Sequence, residues 1–223
     1  GGIFPVLFSP VVEGARPATG VEFFYPPRPP PPATLIAIDF DAGIAADPQG
    51  AFGAQRLMLS VMTAGANGRD AMQIAEEQER LGASIAAFGS LDRSTVSLTA
   101  LSENLERSLD LYADIVIRPD FVAGEVERLR EQQLALVAQE ATSPNGLAQR
   151  TLPPIIYGEN HPYGRPLSGL GSEQSVAGLD RDALTAFHRA WIRPETARIF
   201  VVSDRPLREV RRALEARFGS WRG

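Results

Sequence analysis

The apolar periods in this sequence predict an α+β fold: a two-layer sandwich with one mostly antiparallel sheet and helices packed mainly on one face. Three observations carry that expectation. Ala33–Gly43 alternates strictly between two faces, with Leu35, Ala37, Asp39 and Asp41 on one and Ile36, Ile38 and Phe40 on the other. Ala83–Phe88 and Arg93–Ala100 form a second alternating pair joined by Gly89-Ser90-Leu91-Asp92. Between and after these lie segments with helical spacing, grouped in pairs rather than interleaved singly with strands, which favours a one-sided sheet over a doubly wound one.

Taken in order, residues 1–20 hold short apolar pieces broken by Pro5, Pro10 and Pro17, expected as an extended lead-in or an edge strand. Val21–Tyr25 reads as a short strand. Pro26-Pro27-Arg28-Pro29-Pro30-Pro31-Pro32 must adopt polyproline II, as a stiff connection between strands or as a ligand for an aromatic groove. Residues 21–223 are expected to form a single domain, and the whole to be a piece of a longer chain. Asp47-Pro48 leads into a buried helix between Gly53 and Gly65, where Leu57/Val61 and Met58/Met62 follow i, i+4 spacing. Asn67-Gly68 signals a turn, and Asp70 with Gln73 resembles a capping box for a helix that Gly82 stops. In the second strand pair, Thr95, Ser97 and Thr99 alternate with Val96, Leu98 and Ala100, giving one packed and one wetter face. Asn104–Arg118 places Leu105, Leu109, Tyr112 and Val116 on one helical stripe, and Pro119 ends it. Glu125–Ala141 is a long helix with Leu129, Leu136 and Val137 inward and Arg128, Arg130, Glu131 and Gln132 outward. Ser143-Pro144-Asn145-Gly146 breaks it, and a third helical piece reaches Tyr157. A loop dense in glycine and proline (158–166), a helix capped at Leu179-Asp180 and running to Trp191, a strand over 198–202 and an amphipathic helix over 206–218 complete the chain.

Composition narrows function. A formal net charge of -5 argues against nucleic acid as a partner, since phosphate binding needs a basic surface. No apolar run approaches the roughly 20 residues of a membrane span. With 0 cysteines there is no thiolate metal site, no cysteine nucleophile and no disulfide framework, which suits cytoplasm and periplasm alike. The basic residues are all arginine, which removes lysine chemistry and leaves a glycine-rich loop nothing to reach a phosphate with. Asp39 and Asp41 share a face, but no third ligand stands near them. Glu76-Glu77 and Glu125/Glu127 read as solvated helix charge. His161 precedes a proline in a turn and His188 lies beside Phe187 in a helix; neither has ligand spacing, and structural roles are expected for both. An active hydrolase built from either histidine with Glu140 is the least favoured reading. No Gly-x-Ser-x-Gly elbow occurs; Gly169-Leu-Gly-Ser172 lacks that frame.

Five segments, in order, resemble the pitrilysin/insulinase family of zinc peptidases, the inverted zincins. They are Phe40-Asp-Ala-Gly-Ile-Ala-Ala-Asp-Pro48, Glu79-Arg-Leu-Gly-Ala-Ser-Ile85, Ala113-Asp-Ile-Val-Ile-Arg-Pro-Asp-Phe121, Tyr157-Gly-Glu-Asn-His-Pro-Tyr-Gly-Arg-Pro-Leu-Ser-Gly169 and Phe218-Gly-Ser-Trp221. Active members carry His-x-x-Glu-His on the first long helix. Matching Gly53 and Gly65 to the glycines that bracket that helix puts Arg56, Leu59 and Ser60 at the histidine, glutamate and histidine positions. The remaining glutamate ligand falls near Val137–Glu140, where Glu140 is the acidic residue. The resemblance therefore implies a non-catalytic domain with no metal and no catalytic residue of its own, zinc being expected only in a partner domain. It implies as partners a peptide substrate and a zinc-bearing homologous domain or subunit, in a homo- or hetero-oligomer. Peptide in such a domain would add to a sheet edge, here Ala83, Ser84, Ile85, Ala86 and Ala87, where the small residues Ala83, Ser84, Ala86 and Ala87 leave room for a second backbone. A structural or assembly subunit with no role in proteolysis is the alternative.

Overall fold

A computed structural model describes residues 6–8, 32–159 and 161–222. The strand expected over Val21–Tyr25 and the proline run up to Pro31 lie outside the described residues. Among the described residues, Val6–Phe8 (β1) stands at one edge of a five-stranded sheet, pairing in parallel with Arg198–Ser203 (β7). Beyond β7 come Ala33–Phe40 (β2), Ser94–Leu101 (β6) and Ala83–Gly89 (β5), all antiparallel to their neighbours, so β5 forms the other edge.

Register follows from which face can be buried. Ile36 and Ile38 sit opposite Leu98 and Val96 on one side and Val201 and Ile199 on the other, and all six are buried with Phe40. A slip of one residue would turn this row to solvent. On the opposite face Leu35, Phe200 and Val202 are exposed. Asp39 there accepts from Thr95 Oγ1 at 2.6 Å, and Asp41 pairs with Arg93 at 2.6 Å, so both carboxylates serve the strand and its turn.

The helical layer covers the buried face. Ala54–Met62 (α1) packs against β5, and Leu105–Ile117 (α3) against β6 and the C-terminal helix Leu207–Phe218 (α8). Tyr112 of α3 is wholly buried: its hydroxyl donates to Val96 O at 2.5 Å and its ring meets Phe218 edge to face. Trp221 closes this corner against Phe40. Gly65–Ala66 (β3) and Arg69–Asp70 (β4) form a hairpin around Asn67-Gly68, both at positive φ, the geometry that such a turn requires. Ala71–Leu81 (α2) begins in the expected capping box of Asp70 and Gln73 and ends at Gly82.

Ala123–Glu140 (α4) corrects one expectation. Its buried stripe runs Val126, Gln133, Val137, Glu140, while Leu136 is 40 % exposed. Two polar side chains thus occupy the inward face. Pro144–Tyr157 (α5) starts with Ser143 as cap and proline at its first position, which shows why the chain breaks there. Glu173–Ala177 (α6) is a short helix in a stretch for which the sequence predicts no element, and Arg181–Trp191 (α7) starts under an Asp180 cap. Among the described residues no helix is long and apolar enough to cross a membrane.

Candidate functional site

Helix α1 and the edge strand β5 enclose a cleft of about 260 Å³, closed at one end by Leu167, Ser168 and Gly169. Arg56, Leu59 and Ser60 line it from the helix; Ala87, Phe88 and Gly89 line it from the strand. The two groups of residues singled out in the sequence meet here only in part, because Ala83, Ser84, Ile85 and Ala86 lie further along β5, outside the lining.

The start of α1 is fixed by buried polar contacts. Asp47 accepts from Gly53 N at 2.7 Å and Gln55 N at 2.8 Å, satisfying two of the orphan amides of the helix N-terminus. Burial pushes its carboxyl up to about 6, against the opposing pull of those two amides and of Arg165. The Arg165 guanidinium donates to Ile44 O, Ala45 O and Asp47 O, lies 4.7 Å over the Phe52 ring, and is held below its usual pKa by burial. It thereby ties the loop after α5 to the turn before α1. Gln55 donates to Ala42 O, Arg93 O and Ser94 Oγ, each at 3.0 Å, and sits under Gly89. Gln133 of α4 donates to Gly53 O at 3.1 Å and Leu170 O at 3.0 Å. Their partners are distant in sequence, and no local pattern announces them.

Those positions do not fit a zinc site. Zinc takes three protein donors of N, O or S type and an open place for water. Arg56 offers a cation whose Nη1 donates to Ser168 O at 3.1 Å; Leu59 is a core side chain, 3 % exposed; the Ser60 hydroxyl already donates to Arg56 O. Glu140 is buried and ion-paired with Arg150, which also donates to Gly171 O. Among the described residues no group of three or more His, Cys, Asp or Glu could hold a metal.

Neither histidine lines the cleft. His161 is exposed, stacked on Tyr157, with Nδ1 accepting from Tyr163 N. His188 is buried, its Nε2 paired with Val116 O at 2.9 Å and its ring edge-to-face with Phe121. Burial lowers its pKa below the usual 6.5, so the fold holds the neutral ring. A base whose folded pKa is depressed contributes stability above the unfolded pKa and loses it as pH falls. The advantage of wild type over His188→Gln in urea unfolding is therefore expected to be larger at about pH 7.5 than at about pH 5.5.

The edge of β5 completes the geometry. Ile85 N–H points away from β6, donating to Gln78 Oε1 at 2.6 Å. By the alternation of an antiparallel ladder, the N–H groups of Ala87 and Gly89 point the same way, to the open edge at the cleft.

Comparison with known proteins agrees with this architecture. The model of the insulinase family (peptidase family M16) matches residues 24–169. An uncharacterized zinc protease of Mycobacterium leprae is 26% identical over 168 residues, which is 75% of this chain and 37% of that protein. A Pseudomonas fluorescens structure described as a peptidase M16 inactive domain superposes with a TM-score of 0.80 at 26% identity, over 86% of this chain and 46% of that one. Pitrilysin shares the fold with a TM-score of 0.71 at 22% identity, over 84% of this chain and 20% of its own. The chain thus spans about a third to a half of the first two of these relatives. It belongs to the insulinase family of peptidases, M16.

Proposed function

We propose that this chain is a zinc-less, catalytically inactive M16 domain that holds peptide in extended form along β5, while a zinc-bearing homologous domain or subunit carries out hydrolysis. The observation that carries this reading is the cleft itself: an open strand edge faces a helix whose ligand positions hold Arg56, Leu59 and Ser60. A guanidinium there repels a metal cation, and a leucine cannot act as general base. What remains is the capacity to add a strand through backbone hydrogen bonds. Metal analysis and a peptidase assay of the purified chain test the reading. Zinc well below one per chain and no cleavage are expected; stoichiometric zinc with cleavage by this chain alone would overturn it.

A second reading, an assembly subunit with no part in proteolysis, draws on the exposed apolar sheet face of Leu35, Phe200 and Val202. Amide exchange separates the two. An extended peptide slows exchange at Ala87 and Gly89 under the first reading and leaves both unchanged under the second.

A further inference from the structure

We infer that the cleft between α1 and β5 selects peptides presenting a carboxylate, from an Asp or Glu side chain or from a free C-terminus, and that Arg56 is the residue that reads it. The inference rests on the peptide-binding reading above and adds the class of ligand.

The Arg56 side chain is exposed in the cleft and, among the described residues, makes one hydrogen bond, to the neutral carbonyl of Ser168. A guanidinium has five N–H donors, so most of the fork is unspent. Among the described residues no carboxylate pairs with it; Arg181 and Arg222 also lack one, but Arg56 is the arginine that lines the cleft. The cleft lining contains neither Asp nor Glu.

The neighbours of the guanidinium point to the same ligand. Ser60 Oγ donates back to Arg56 O, so its proton is committed within the helix. Ser168 Oγ accepts from Leu170 N and keeps its own proton to donate. Ala87 and Gly89 present N–H groups at the edge. With the two edge amides taken by the peptide backbone, the site offers a side-chain carboxylate or terminus a planar cationic fork and the Ser168 hydroxyl, a set that matches it. The chain as a whole carries a formal net charge of -5, so the positive character is local to the cleft and does not amount to general attraction for polyanions. Strand pairing with β5 fixes the peptide backbone, and the fork then reads one group beside it.

The test uses the purified chain and decapeptides of Thr, Val and Ser that carry an uncharged BODIPY label at the N-terminus. One series has a central Glu or Gln, and each is made as a C-terminal acid and as an amide. Fluorescence anisotropy at low salt gives the affinities. The Glu peptide over the Gln peptide, or the acid over the amide, is expected to bind about five-fold tighter, the range of an exposed charge pair. The arm that shows the gap identifies the source of the carboxylate. In Arg56→Gln the gap closes, and in about 0.5 M salt it shrinks. Arg56→Lys, which keeps charge but loses the fork, retains only part of it. Near-UV circular dichroism checks that each variant is folded. Equal affinity of all four peptides for wild type, or a gap that survives in Arg56→Gln, overturns the inference. If a neutral peptide protects the Ala87 and Gly89 amides with no preference for acid, the carboxylate inference alone falls. If nothing binds and no amide is protected, the peptide-binding reading falls with it.

Discussion

Replacing Gly53 by alanine is expected to cost about 3 kcal/mol or more of stability, through two causes that add. The first is conformation. Gly53 has φ +95° at the N-cap of α1, a region where a Cβ is strained. The second is crowding. A Cβ there would stand 2.7 Å from Leu170 O, 2.7 Å from Gln133 Nε2 and 3.1 Å from Val176 Cγ2. Leu170 O is backbone, and Gln133 is held by bonds to Gly53 O and Leu170 O, so neither yields without breaking the junction between α1, α4 and the loop before α6. Gly68 supplies the control. It also has positive φ, but an added Cβ meets nothing within 4 Å. Gly68→Ala is expected to lose only about 1 kcal/mol, the conformational part alone. Urea unfolding of both variants measures the difference. Equal losses would show that the α1 junction is loosely packed and that Arg56 is not held in one position at the cleft.

The same junction marks where sequence reasoning stops. The inward rows of β2 and β6 were legible because each strand declares its own faces, Ile36-Ile38-Phe40 and Val96-Leu98-Ala100, by a period of two. Helix α1 was legible from Leu57, Met58, Val61 and Met62, the cap at Asp70 from its Gln73 three residues on, and the start of α7 from Leu179-Asp180, whereas Ser143 reads in sequence only as a break. All of these are local signals. Gln55, Gln133 and Arg165 look like surface residues by type, yet they are buried because partners far along the chain satisfy them: Gln55 with Arg93 and Ser94, Gln133 with Leu170, Arg165 with the carbonyls of residues 44, 45 and 47. Leu136 was misplaced for the converse reason. With Gln133 and Glu140 on the inward stripe of α4, apolar content no longer marks the buried face. Helix α6 has five residues, too few to show a period, and its only trace is the Ser172/Ser175 box. For the site, the register of Arg56, Leu59 and Ser60 came from resemblance, and their meeting with Ala87 came from strand order, which puts β5 at the edge beside α1. Of the stretch Ala83–Ala87 only Ala87 lines the cleft, which opens at the C-terminal end of β5.

The largest pH-dependent effect is expected at Asp47, and its sign runs opposite to that of a surface carboxylate. Paired acids usually have lowered pKa values and lend stability that acid removes. Asp47 is buried, and burial outweighs its two amide donors, so its folded pKa rises from 3.8 to about 6. The folded state then holds a proton that the unfolded chain has released. Stability from this group is complete below the unfolded value and is lost as pH rises through about 6. A rise of roughly two units corresponds to about 3 kcal/mol across that window. Asp47→Ala removes the titration together with the acceptors for Gly53 N and Gln55 N. At pH 7 the variant is expected to be destabilised by about 1–2 kcal/mol, the cost of a lost helix cap. Near pH 4 the gap widens by up to about 3 kcal/mol more, because only wild type gains from protonation. His188 titrates in the opposite sense but is present in both proteins, so the difference between them isolates Asp47. Urea midpoints of the pair at several values between pH 4 and pH 7 measure the trend. A gap that stays flat or narrows on acidification would mean that the helix amides and Arg165 hold Asp47 ionised despite its burial. The turn before α1, and with it the wall of the cleft that carries Arg56, would then be organised around a buried carboxylate held by the amides of Gly53 and Gln55 in place of a protonated cap.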